Sequence, residues 1–122
     1  MKKILVVDDD TEQKSLYHDI FTSKGYDVQT ASDGLEGLEI ALKQKPDLIF
    51  TGIIMPRMDG FELIHNLRNN AATAQIHVIL FSHLGREEDR KKAESLENVD
   101  FMLKGFDRPA KIAERVVELL GK

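Results

Sequence analysis

Ile4-Leu5-Val6-Val7-Asp8-Asp9-Asp10 decides the fold. Four apolar residues in a row, three of them β-branched, leave no polar side for solvent. Such a run reads as a strand buried on both faces. Three acids then stop it. A strand covered on both faces belongs to a parallel sheet, whose crossover helices supply the cover.

Working outward, the rest of the chain provides those crossovers. Asp10 precedes a helical stretch in which Leu16, Ile20 and Phe21 share a face, and Gly25 closes it. Tyr26–Ala31 reads as a second strand. Asp33 and Glu36 have the spacing of a capping box. Leu35, Leu38, Ala41 and Leu42 give that helix an apolar stripe, and Pro46 ends it. Residues 47–51 form a third strand candidate, followed by the turn-rich Met55-Pro56-Arg57-Met58-Asp59-Gly60. Phe61, Ile64, Leu67 and Ala71 then recur at helical spacing. Ile76–Phe81 is a fourth strand and Val99–Leu103 a fifth. Asp107 is placed to cap a last helix with Pro109 in its first turn and Ile112, Val116, Leu119 and Leu120 on its buried face. Strands alternating with helices imply an α/β domain, a single doubly wound (βα)5 unit over residues 1–122 with helices on both faces of the sheet.

Composition agrees with a globular domain. Of the 122 residues, 42% are hydrophobic and 31% charged, a balance unlike that of disordered chains. The net charge of −4 offers no electrostatic footprint for nucleic acid or an anionic membrane. Without cysteine there is no disulfide, thiol catalysis or thiolate metal site. Apolar runs are far shorter than the ~20 residues that span a bilayer, and early acids argue against a signal peptide. The expectation is a cytoplasmic protein.

In doubly wound folds the working site lies outside the carboxyl ends of the strands. Asp8, Asp9 and Asp10 follow the first strand, Gly52-Ile53-Ile54-Met55-Pro56 the third, Ser82-His83 the fourth and Lys104-Gly105 the fifth. Clustered carboxylates, a hydroxyl and an ammonium suit a hard cation and a phosphoryl group.

With these pieces in this order, the chain resembles the receiver domains of bacterial two-component response regulators over essentially its whole length. The matching stretches are Ile4–Asp9, the run from Pro46 through Gly60, a strand ending at Ser82 and another ending at Lys104. The resemblance implies the flavodoxin-like strand order 2-1-3-4-5. It implies that Asp9 binds Mg2+ directly, that Asp8 acts through water, and that Ile54 offers its carbonyl. Ser82 and Lys104 would contact a phosphoryl group, and Ser82 and Phe101 would act as switch residues. It also implies a protein partner, a histidine kinase or a downstream effector, on the face made by helix four, strand five and helix five.

The family's phosphoacceptor aspartate falls at Gly52. Glycine offers no carboxylate nucleophile and removes one metal ligand. Two carboxylates ~5 Å apart repel by ~3 kcal/mol at an effective dielectric near 20, so losing a third acid relieves strain and leaves Lys104 free to pair with Asp8 or Asp9. Magnesium is expected to bind weakly. Gly105 stands where the family has proline, so the Lys104–Gly105 bond is expected to be trans and Lys104 to aim differently. His83 replaces a small residue and crowds the phosphoryl position.

Each residue also has a plainer reading. Asp10 is a helix cap and Asp59 a turn residue beside Gly60. Gly52 could be a tight backbone position. Thr51 points to the other side of its strand and is a poor substitute acceptor. His18, His65 and His77 are scattered, structural or exposed. Eight of the ten residues 86–95 are charged, which reads as a solvated helix with favourable Glu87–Lys91 and Glu88–Lys92 pairs. Three functions compete. One is a binding module that signals without its own phosphorylation and is not an enzyme. The second still phosphorylates itself on another acid, Asp8, Asp9 or Asp59. A nucleotide or flavin domain of similar topology is the third, opposed by acids where a glycine-rich phosphate loop would be needed.

Overall fold

The computed structural model describes residues 1–121. Five strands alternate with five helices: β1 (Lys3–Val7), α1 (Thr11–Ser23), β2 (Asp27–Ala31), α2 (Gly34–Gln44), β3 (Leu48–Gly52), α3 (Gly60–Arg68), β4 (His77–Ser82), α4 (Glu87–Glu94), β5 (Val99–Leu103) and α5 (Pro109–Leu120). The strands form one parallel sheet in the order β2-β1-β3-β4-β5. This is the expected fold and strand order. Val7 lies level with Thr51, and Gly52 with Phe81, so the acids after β1 and the residues ending β3 and β4 emerge side by side.

Alternation along each strand builds two cores. Leu5, Val7, Ile49, Val78 and Leu80 pack with Leu63, Ile64 and Leu67 beneath α2, α3 and α4. Ile4, Val6, Phe50, Ile79 and Phe81 pack with Tyr17, Phe21, Ile112 and Val116 beneath α1 and α5. Tyr17 is the hub of the second core, with ring centroids 4.6 Å from Phe50, 5.4 Å from Phe81 and 5.7 Å from Phe21. Side chains of this size each contribute about 1.5–3 kcal/mol on full burial.

Several local expectations need correction. Leu16 is exposed, and α1 buries Tyr17 in its place beside the expected Phe21. Leu42 is exposed too, because α2 turns Gly37 and Ala41 inward, with Gly37 against Val7 of β1 and Gly34 against the backbone of Met58. Helix α3 stops at Arg68, leaving Ala71 in an exposed turn. Asp107 does not cap α5. Arg108 holds the cap position without a side-chain bond, while the Asp107 carboxylate accepts the Leu103 N–H at 2.8 Å and pairs with Lys111 at 3.0 Å. The reciprocal capping box belongs to Asp59 and Glu62, not to Asp33 and Glu36. Asp33 caps α2 through the Glu36 N–H, but Glu36 reaches back to the N–H of Ser32. Asp10 caps α1 as expected, accepting from Glu12 and Gln13.

Helix α4 is as polar as its sequence, with only Ala93 buried. Two cations help to dock it. The Arg90 guanidinium lies 4.9 Å from the Phe101 ring centroid, and the Lys92 ammonium 4.4 Å from that of Phe61. At the amino ends of the strands, Arg68 donates to the Ile76 carbonyl at 2.9 Å and the Glu97 carbonyl at 3.1 Å, joining the turns before β4 and β5.

Candidate functional site

The β1–α1 turn delivers Asp8 and Asp9 to the carboxyl end of the sheet. Asp8 is buried and accepts the Asp10 N–H through Oδ1 at 2.8 Å, while Asp9 is exposed. A cavity of about 210 Å3 opens above them. Gly52, Ser82, His83 and Asp89 also border it. Ser82 is buried, and its Oγ accepts the Gly85 N–H at 2.9 Å.

Gly52 is not glycine for backbone reasons. Its φ lies outside the left-handed region. A Cβ built there would meet Asp8 Oδ2 and the Met55 side chain at 3.8 Å, ordinary contact distances. A side chain would fit, so the tight-backbone reading of Gly52 fails. Gly60 is the opposite case. Its Cβ would fall 2.4 Å from the Gly52 carbonyl oxygen, and its N–H donates to the Ile53 carbonyl at 2.7 Å. Helix α3 therefore starts pressed against the end of β3.

Burial pushes the Asp8 carboxyl above the usual range, against the pull of the Asp10 N–H and the nearby His83. The folded state thus holds this proton more tightly than the unfolded chain. Its contribution to stability is present at acid pH and is lost as pH rises through the raised value. Asp8→Asn keeps an oxygen for the Asp10 N–H and removes the penalty. Its Tm is expected to exceed the parent's by about 3 °C at pH 7, with the gap narrowing as pH falls through the raised value and gone below about 4. Paired thermal melts at pH 7 and pH 3.5 check this.

Lys104 departs from its expected partnership. The Lys104–Gly105 bond is trans, Gly105 has a φ of +87°, and the lysine side chain is exposed. It does not border the cavity and pairs with neither Asp8 nor Asp9 among the described residues. Phe101 is half-buried, with Arg90 over its ring. Ile54 borders the cavity with an exposed side chain. Thr51 is buried and donates to the Gly52 carbonyl at 3.0 Å, on the sheet face opposite residue 52. Asp59 is committed to capping α3 and borders a separate groove with Phe61 and Lys92. His18, His65 and His77 contact Asp19, Asn69 and Asp100.

Mg2+ takes near-ideal octahedral oxygen ligation and is commonly held by one or two carboxylates and several waters. Asp8, Asp9 and the Ile54 carbonyl are the groups that would hold it here, without the further carboxylate that residue 52 would supply. Two residues outside the expected set matter. Asp89 reaches the cavity from the first turn of α4. Arg57, at φ +66°, donates to both carboxylate oxygens of Asp33 at 2.9 and 3.2 Å and holds the Asp33 carboxyl below the usual range. The charge run around Asp89 hid the first, and the second depends on a left-handed turn with no glycine to announce it.

Residues 4–117 match the response regulator receiver domain. The chain is 36% identical over 107 residues to the DNA-binding dual master transcriptional regulator RpaA of Synechocystis, covering 88% of this chain and 44% of that protein. It is 36% identical over 121 residues to the chemotaxis protein CheY of Treponema pallidum, covering 97% and 82%. It spans about half the length of RpaA and of several other relatives that it matches. The crystal structure of CheY4 from Vibrio cholerae superposes with a TM-score of 0.88 at 26% identity, covering 98% of this chain and 99% of that one. The receiver domain of a histidine kinase from Syntrophus aciditrophicus gives 0.85 at 30% identity, covering 98% and 90%.

Proposed function

The chain belongs to the response regulator receiver domain family of two-component signalling, and on that premise we propose that it signals through protein contacts without phosphorylation of its own. The observation that carries this reading is Gly52, which lies in the acid cavity with room for a side chain and has none. A phosphoryl group needs a carboxylate nucleophile, and a lysine beside it would help to neutralise the charge. The first is missing, and Lys104 stands outside the cavity. His83 borders the same cavity.

In this reading the chain is not an enzyme, magnesium is at most a weak ligand, and Ser82 and Lys104 are chemically silent. The partner is a histidine kinase or a downstream effector meeting the face made by α4, β5 and α5. That face carries Phe101 beneath Arg90, so a partner that displaces Arg90 would free the ring to move. The net charge of −4 gives the domain no electrostatic grip on nucleic acid. No helix among the described residues is long and apolar enough to cross a membrane, in keeping with a cytoplasmic site of action. Self-phosphorylation is disfavoured at Asp59 by its commitment to the helix cap and at Asp8 by burial, which leaves the exposed Asp9 as the acid that the alternative reading needs.

The test is intact mass after incubation with acetyl phosphate or phosphoramidate and millimolar Mg2+. The unaltered chain is expected to keep its mass. A gain of about 80 Da, the mass of one phosphoryl group, would sink the reading.

A further inference from the structure

Helix α3 and the end of α4 leave between them a groove of about 560 Å3, which shares no lining residue with the cavity beside Gly52. Its volume falls within the ~300–1,000 Å3 of ordinary binding pockets. Phe61, Ile64 and Leu96 give it apolar walls. Charged side chains border it as well, and most of them are committed. Arg57 is held by Asp33, while Asp59 and Glu62 each accept the other's backbone N–H. Two cations have no carboxylate among the described residues. Lys92 makes no ion pair and lies over the Phe61 ring. Arg68 gives two N–H groups to backbone carbonyls, which leaves its charge unneutralised, and burial pushes its guanidinium below the ordinary value. The unmatched charge of the groove is therefore positive, on a chain of net charge −4.

The two cations are spaced along the groove. Lys92 sits beside Phe61 in the first turn of α3, and Arg68 ends that helix. From residue 61 to residue 68 is roughly 10 Å at 1.5 Å per helical residue. That is the reach of about three extended residues. Apolar surface lies between the two charges. A segment with an acid at either end of large apolar side chains matches this order. Its carboxylates would set register and exclude the wrong partners, and its apolar side chains would supply the buried area.

We propose that the α3–α4 groove docks an acidic, apolar-centred segment of a partner protein, with Lys92 and Arg68 receiving its carboxylates and Phe61, Ile64 and Leu96 its apolar side chains. One helix divides two surfaces: Lys92 of α4 lies over Phe61 of α3, whereas Arg90 lies over Phe101 of β5. The groove is thus distinct from the face made by α4, β5 and α5. The proposal does not depend on the reading of Gly52, and either can fail alone.

The experiment is an amide NMR titration of the full chain with the peptide acetyl-Glu-Leu-Phe-Glu-amide, a copy with Gln at both acids, and a copy with Ala at both apolar positions. The first should give saturable shifts at Phe61, His65, Lys92 and Leu96, and each copy should bind about tenfold more weakly. Lys92→Glu should weaken the first peptide by about tenfold or more. Lys91→Glu changes the net charge equally from outside the groove and should leave its affinity within about twofold. Both lysines are exposed, and unmoved amides in the sheet check that each variant keeps its fold. Equal affinity of the Gln copy would remove the role of charge, and equal affinity of the Ala copy would leave an anion site only; either overturns the proposal. Equal losses in the two lysine variants, shifts confined to Arg90 and Phe101, or no shift with any peptide overturn it too. Shifts at the groove amides on concentrating the chain alone would make a second copy the occupant, with the same consequence.

Discussion

Gly52→Asp is expected to acquire a phosphoryl group that the parent chain does not. The added carboxylate enters a space already open, since its Cβ meets Asp8 Oδ2 and Met55 no closer than 3.8 Å. It supplies the nucleophile, and with Asp8 and Asp9 it makes a third carboxylate. At ~5 Å the added pair with the buried Asp8 costs up to about 3 kcal/mol at an effective dielectric near 20, while solvent screens the pair with the exposed Asp9, so the variant should melt about 10 °C below the parent without metal. Millimolar Mg2+ should recover that loss, because a ligand that binds the folded state stabilises it in proportion to the logarithm of its saturation. The parent should move little under the same addition. Intact mass with a small phosphodonor reads the chemistry, and melts with and without Mg2+ read the electrostatics. His83→Ala in the same background should raise the rate further by clearing the mouth of the cavity. If Gly52→Asp stays unmodified while binding Mg2+, the exposed position of Lys104 becomes the limiting defect and Gly52 is no longer the sole explanation.

The second large effect is on stability. Gly60→Ala forces a methyl group to within 2.4 Å of the Gly52 carbonyl oxygen and 3.1 Å of the Ile53 Cα. Both belong to backbone at or beside the end of a central strand, which cannot yield without breaking sheet pairing. Overpacking of this kind costs about 1–3 kcal/mol or more, and a Tm loss of about 5–10 °C is expected. Gly52→Ala is the matched control. It adds the same methyl group into free space and should change stability by no more than about 0.5 kcal/mol. Urea or thermal unfolding of both variants makes the comparison. Equal losses would mean that the spare room at residue 52 is illusory.

The sheet was legible in the sequence because its signals are one-dimensional. The uninterrupted Ile4–Val7 run, the acids after it, the cap at Asp10 and the proline that opens α5 all read locally. The helix faces were less so. Leu16 and Leu42 look like core residues, yet Tyr17 of α1 and Gly37 of α2 face the sheet. In α2 close backbone approach, not side-chain size, sets the orientation: a Cβ on Gly34 would lie 2.1 Å from the Met58 carbonyl oxygen. Asp107 looked like a cap because acids so often are, but the amide of Leu103 and the ammonium of Lys111 claimed it first. At the site, Asp8, Asp9, Gly52 and Ser82 do come together around one cavity, as the strand-end rule implies. Lys104 does not join them, and Asp89 does. Both outcomes depend on the paths of loops, which periodicity does not encode.

Arg68 gives the two ends of the sheet different mechanical characters. Its flat head rivets two separate turns at the amino end, a task that a lysine, with one compact ammonium, could not perform with the same fixed fork. The opposite rim has a void at its centre, and the turns after β4 and β5 pass through Gly85 and Gly105 in left-handed conformations. The loops that border the cavity thus stand at the end of the sheet away from the two turns that Arg68 ties together.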